Sequence, residues 1–259
     1  MRIDWCVRLI IKTIGMKQNL LFSFLLLSFF AGAQDHYLVP RLTYSTGMGA
    51  QEGRFESFGI SLQYESYSKT DKRLGYIITG ETHMAGSETK RIDLNFGGSN
   101  GYTNVDYRSS MYKAMAGGIV VPFNGKFISP YFSMQAGVMM YHTKMYINDP
   151  DDNDYCEPVE ARNVKASFSA IAAAESGIKV RVSNKRGRPV FAQAGVGYTV
   201  GTKASYIKLG DDNSYENTQA YTSKFRMSNG DTHTHQIGTL HRTNTSQLAF
   251  NVGVSFVFD

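Results

Sequence analysis

Past the first thirty or so residues, the chain is built from short runs that alternate large apolar side chains with small or polar ones. Near the end, Leu248, Phe250, Val252, Val254, Phe256 and Phe258 fall on one face at period two, while Gln247, Ala249, Asn251, Gly253, Ser255 and Val257 fall on the other. The same reading sets Phe58, Ile60, Leu62 and Tyr64 against Ser57, Gly59, Ser61 and Gln63. It sets Ile128, Phe132, Met134, Ala136, Val138 and Met140 against Ser129, Tyr131, Ser133, Gln135 and Gly137. Period two is the mark of a β-strand with two unlike faces, and no stretch after the leader keeps a helical period. The runs predict eight strands, over 38–48, 54–67, 74–83, 105–123, 127–142, 164–182, 189–202 and 246–258.

The lengths between the runs alternate too. Three connections are short and basic (69–73, 124–126 and 184–188), and Asn124-Gly125 is a strong two-residue hairpin signal. The connections 84–104, 143–163 and 203–245 are long and polar, and 49–53 falls with them by parity. An up-and-down barrel that crosses a membrane has this layout, with large residues facing lipid, small polar ones facing the lumen, and long loops at one end only. A water-soluble sandwich would use the same alternation with its faces reversed. Its outer face would then be Gly, Ser and Ala where a wetted surface carries Lys and Glu. Aromatic residues also collect at the strand ends: Tyr64, Tyr67 and Tyr76, then Phe123 and Phe127, with Tyr107, Tyr141, Tyr146 and Tyr206 near the opposite ends. Girdles at two interfaces account for that placement.

Ahead of the strands, Lys17 precedes an apolar run from Leu20 to Phe30 and the small triplet Ala31-Gly32-Ala33. This is the three-part layout of a cleaved secretory signal, and the run is short for a spanning helix. The expected division is a signal peptide at 1–33, with Met16 favoured as the true start, and a barrel domain at 34–259. Four cations and one anion lie in 1–33, so the remainder carries about +2 rather than the +5 of the whole chain, which removes the case for a nucleic-acid partner. Of two cysteines, Cys6 leaves with the signal and Cys156 stays alone, so no internal disulfide forms.

Leader and strand pattern together resemble the small eight-stranded outer-membrane barrels of the OmpA/OmpX type. The resemblance implies an all-β, antiparallel up-and-down transmembrane barrel in the outer membrane of a Gram-negative bacterium. It also implies lipid and lipopolysaccharide as surroundings, folding by the barrel-assembly machinery, and a monomer. Members of that class usually end on an aromatic residue; here Asp259 follows Phe258. The chain stops at the last strand, so no periplasmic domain is expected after it.

Candidate chemistry lies inside and above the barrel. Arg41, Glu65, Glu81, Glu175, Lys179 and Arg181 fall on the inner face, joined by Lys113 if Tyr112, Ala114, Ala116 and Val120 face lipid. Met111, Met115 and Ile119 would suit lipid as well. Mixed signs in a lumen only wide enough for side chains imply a paired, filled interior; a narrow ion path through the same charges is the alternative. In the third long loop Asp149, Asp151, Asn153 and Glu160 have the ligand spacing of a calcium loop. Asp154 stands where the sharp turn needs Gly and Pro158 follows, so a solvated acidic loop is expected, with no dedicated cofactor and at most weakly held calcium. A looser version has this loop and Asp211-Asp212 share divalent ions with lipopolysaccharide phosphates. His233, His235 and His241 form a loose histidine group in the last loop. A lipid A acylhydrolase or acyltransferase would need a base near the outer leaflet, and His83 with Ser87 or His142 with Ser133 are the pairs in reach. No spacing marks a triad, so the expected role is structural or interactive: surface loops for adhesion or an extracellular ligand.

Overall fold

The computed structural model describes residues 33–48, 56–68, 73–96, 99–123, 127–147, 160–185, 188–210, 219–226 and 232–258. Its strands are β1 (Ala33–Gly47), β2 (Glu56–Ser68), β3 (Leu74–Phe96), β4 (Ser99–Val120), β5 (Ile128–Ile147), β6 (Glu160–Lys185), β7 (Arg188–Leu209), β8 (Gln219–Arg226) and β9 (Thr232–Phe258). From β1 to β7 each strand pairs antiparallel with the next, β7 pairs with β9, and β9 pairs back onto β1. Eight strands therefore close a ring, and β8 lies outside it, paired to β9. Closure is what lets such a sheet sit in hydrocarbon, since every ladder group of the ring finds a neighbour.

The two faces are turned as a membrane wall requires. Phe58, Ile60, Met134 and Val252 point outward and are 58–63% exposed. On the inner face Gln63 and Glu65 are fully buried, with Arg41, Thr43 and Ser61 beside them. A belt of Leu, Ile, Val, Phe and Tyr left uncovered around the whole wall is far too large for a water-soluble monomer. β4 has Tyr112, Ala114, Ala116 and Val120 outward, and Met111, Met115 and Ile119 buried inside. Its register shows why: Glu81 partners Lys113 directly, so the two charges share a face.

The strands run much further than the alternation indicates. Residues 84–96 and 99–104 are ladder and not open loop, because β3 and β4 stay paired as far as Phe96↔Ser99. β5 and β6 likewise pair up to Ile147↔Glu160, and much of 203–245 is the top of β7, the added β8 and the first half of β9. Beyond the hydrocarbon the outward face turns polar, and only scattered inward residues such as Met145, Ile207 and Ile237 stay apolar. The ladder then persists without an apolar period, and a pattern search sees mostly polar chain. β9 has 27 residues, about 90 Å of contour at the usual rise, whereas a tilted strand needs only about 9–11 residues to cross. β1 and β2 have 15 and 13. The wall is thus low over β1–β2 and tall elsewhere, and β8 stands beside β9 above the end of β1.

Candidate functional site

Closure of the ring brings one row of inner positions together. Arg41, Ser61, Glu81 and Lys113 are successive ladder partners on β1, β2, β3 and β4. Arg41 is the hub. Its Nε donates to Ser61 Oγ at 3.0 Å, its Nη1 donates to both carboxylate oxygens of Glu175 on β6 at 2.9 and 3.1 Å, and its Nη2 lies 3.6 Å from Glu81 Oε1. Glu81 also pairs with Lys113 at 3.1 Å and meets His83 Nε2 at 3.1 Å. Glu175 accepts further bonds from the Tyr131 hydroxyl at 2.6 Å and from Asn251 Nδ2 at 2.9 Å. Each carboxylate thus has a cation and additional donors, the condition under which buried charges are tolerable.

Nearer the chain termini a second bridge crosses the full diameter. Lys179 on β6 donates to Glu65 on β2, four places around the eight-membered ring. Gln63 and Tyr67 also donate to Glu65, at 2.6 and 2.7 Å, and Lys179 donates to the Tyr67 hydroxyl at 2.9 Å. The rings of Tyr37, Tyr67 and Tyr131 stand 5.3–5.8 Å from the ammonium, so its charge meets π-faces where it lacks a carboxylate. Arg181 stays apart, its guanidinium 5.6 Å from the Phe191 ring. Three cations and three anions therefore balance in the two layers, and Arg181 is the surplus. Between Lys179 and the end of the barrel is a small cavity of about 50 Å³, room for a few waters.

Two glycines make the central layer possible. A Cβ on Gly195 would lie 2.4 Å from the Tyr131 hydroxyl, and one on Gly177 would lie 2.6 Å from its ring. The ring lies flat across bare backbone of β6 and β7 and so reaches Glu175.

Towards the far end the lumen turns from ionic to aromatic. Gln247 donates to the Tyr141 hydroxyl at 2.9 Å and reaches Met111 Sδ at 3.2 Å, across the ring. Tyr141, Tyr206 and His241 stack in succession with centroids 5.3 Å apart. Above them Val105, Tyr107, Met145, Ile207 and Ile237 form an apolar plug. The lumen is crossed at four levels, and the geometry is that of a filled core.

The sequence-derived candidates separate on this frame. Arg41, Glu65, Glu81, Lys113, Glu175 and Lys179 are buried in the two networks, while Arg181 is half-buried outside them. Reading the sequence missed Tyr131, Asn251, Gln63, His83 and Gln247 as members. Their inward parity was visible; the distant partners of Tyr131, Asn251 and Gln247, more than a hundred residues away for Gln247, were not, and Gln63 and His83 bond carboxylates two places along their own strands. His83 faces the lumen and Ser87 is exposed on the extension, so they do not form a pair. His142 is outward, 3.0 Å from Asn163 Oδ1, whereas Ser133 is buried inside. His241 belongs to the aromatic stack. The side chains of His233 and His235 lie outside the described residues, as do Asp149, Asp151, Asn153, Asp211 and Asp212, and so does the side chain of Glu160, which opens β6. The leader also lies outside them. Among the described residues no group of three or more His, Cys, Asp or Glu is arranged to hold a metal ion.

Compared by sequence, the chain matches no family model and no curated protein. Compared by structure, it is similar to Neisserial surface protein A, at 10% identity and a TM-score of 0.40, over 88% of this chain and 99% of the other. It is similar to Ail, the attachment invasion locus protein of Yersinia pestis, at 10% identity and 0.40, over 87% and 99%. A major outer membrane protein from Thermus thermophilus gives 11% identity and 0.37, over 86% and 99%. What makes this wall membrane-facing is its own belt and its closed ring.

Proposed function

We propose that the chain is an outer-membrane surface barrel that works outside its lumen, through the strand extension at the far end. The observation that carries this is the one-sided pairing of β8. β7 and β9 stay paired as far as Leu209↔Gly238, beyond the belt, and β8 adds a further strand to β9. Among the described residues β8 has a strand on one edge only. An open edge offers a row of N–H and C=O groups to an extended polypeptide, and its side chains select the partner. Thr222 and Lys224 are exposed on β8, so its edge fits a polar or acidic extended segment of an extracellular protein. In this orientation the chain termini face the periplasm.

Removing residues 211–231, or replacing Thr222 by Pro, takes away the edge and leaves the ring. We expect cells displaying either variant to lose adhesion to protein-coated surfaces while the folded barrel stays in the membrane. Undiminished adhesion would contradict the proposal. A narrow channel is the second reading, because Ser133, Gln135 and Gln193 turn polar atoms into the lumen that no described protein group bonds.

A further inference from the structure

Just above the belt, β4 and β5 change character on their outward face. Tyr112, Met140 and Phe168 are ladder partners on β4, β5 and β6 and form an apolar shelf. The next outward pair is Ser110↔His142, and the one after it is Arg108↔Lys144. Two cations directly opposite one another bring their Cβ atoms within about 5 Å and repel. From the rung above, the Tyr146 ring lies 5.2 Å from the Arg108 guanidinium, and Asp106 lies 3.7 Å from one of its nitrogens. That carboxylate is shared, accepting the Thr89 hydroxyl at 2.6 Å. The Arg108 side chain is still 60% exposed, and among the described residues Lys144 has no carboxylate partner. His142 on the same face is anchored to Asn163, the ladder partner of Lys144.

Height decides what meets these cations. Four residues separate Arg108 from Tyr112 and Lys144 from Met140. That is about 13 Å along a strand and about 10 Å along the membrane normal after tilt. The headgroup layer reaches roughly 5–8 Å beyond the hydrocarbon, so with the shelf at the hydrocarbon edge the backbone here stands a few Å above it, and the long Arg and Lys side chains snorkel down to the phosphates. A planar guanidinium with one already shared carboxylate stands beside a compact ammonium with none among the described residues, both within side-chain reach of the headgroups, and the pair matches a phosphate.

We propose that Arg108 and Lys144 bind the phosphate of an outer-leaflet phosphoglycolipid whose acyl chains lie on the Tyr112–Met140–Phe168 shelf. The inference rests on the membrane-spanning reading above. It is independent of the β8 edge.

The test uses the barrel refolded from residues 34–259 into phosphatidylcholine vesicles that contain diphosphorylated lipid A, with the lipid A retained per barrel measured after extraction. The wild type should retain it, and the Arg108→Gln/Lys144→Gln double variant should retain about 30-fold less. Lys224→Gln on β8, an equal loss of charge per residue, should change nothing. Dephosphorylated lipid A should be retained by the wild type as poorly as the phosphorylated form is by the double variant. Equal retention by wild type and double variant overturns the site. Full displacement by inorganic phosphate, or by a soluble polyanion that binds the same two residues without lipid, assigns them to a soluble ligand and also overturns it. Insertion is read separately from the gel shift of unheated samples. If the double variant does not insert, Lys144→Gln alone carries the comparison, and if the wild type does not insert, the membrane-spanning reading itself falls.

Discussion

Arg41→Met is the substitution whose consequences the structure specifies most closely. The Arg41 side chain is fully buried and is the only cation within bonding distance of Glu175 among the described residues. Methionine fills much the same volume but leaves Glu175 with two neutral donors, Tyr131 and Asn251. Glu81 fares better, since Lys113 and His83 remain. An uncompensated buried charge costs about 3–5 kcal/mol, and the surviving donors place this one near the lower end. Removing both partners, in Arg41→Met/Glu175→Met, deletes the orphan and should return stability to within about 1 kcal/mol of the wild type. The coupling between the two sites is then at least about 2 kcal/mol, plus whatever Glu175→Met costs alone. Arg41→Lys keeps charge but loses the fork that spans Ser61 and Glu175, and should cost about 1–2 kcal/mol. The assay is equilibrium urea unfolding of residues 34–259 in vesicles, followed by far-UV circular dichroism and by mobility of unheated samples. Indole fluorescence does not serve, because the sole tryptophan is Trp5. An Arg41→Met barrel as stable as the wild type, or a double variant as damaged as the sum of its singles, would refute the reasoning.

Further expectations come from the wall and from the glycines. Met134 is 63% exposed near the middle of outward β5. Met134→Lys should therefore cost about 2–4 kcal/mol in vesicles, measured by the same unfolding; a change near zero would mean that this face meets water. Gly195→Ala drives a Cβ to 2.4 Å from the Tyr131 hydroxyl and should cost about 1–3 kcal/mol. Tyr131→Phe in the Gly195→Ala background should then cost little more, since the Glu175 bond is already lost; full additivity would count against the shared contact.

How much of this was legible beforehand follows from where side chains find their partners. The lipid-facing positions could be read because hydrocarbon demands a large apolar residue at every second place, as in 248–258. The interior charges could be read as interior for the same reason, by parity. β4 was ambiguous because Met111, Met115 and Ile119 serve either face; only the register of Lys113 with Glu81 settles it. The pairing of Arg41 with Glu175, 134 residues apart, is a product of ring closure and leaves no local trace. The extension was illegible for the opposite reason: in Glu88, Thr89, Lys90 and Arg91 both faces are polar, so strand and loop look alike.

The central claim, a lumen closed by its own side chains, is tested most directly by the single-channel conductance of refolded residues 34–259 in a planar bilayer. We expect no channel events from preparations whose gel mobility shows a folded barrel. Steady conductance, with an ion selectivity that shifts in Glu175→Gln or Arg181→Gln, would place the function inside the lumen and contradict the account.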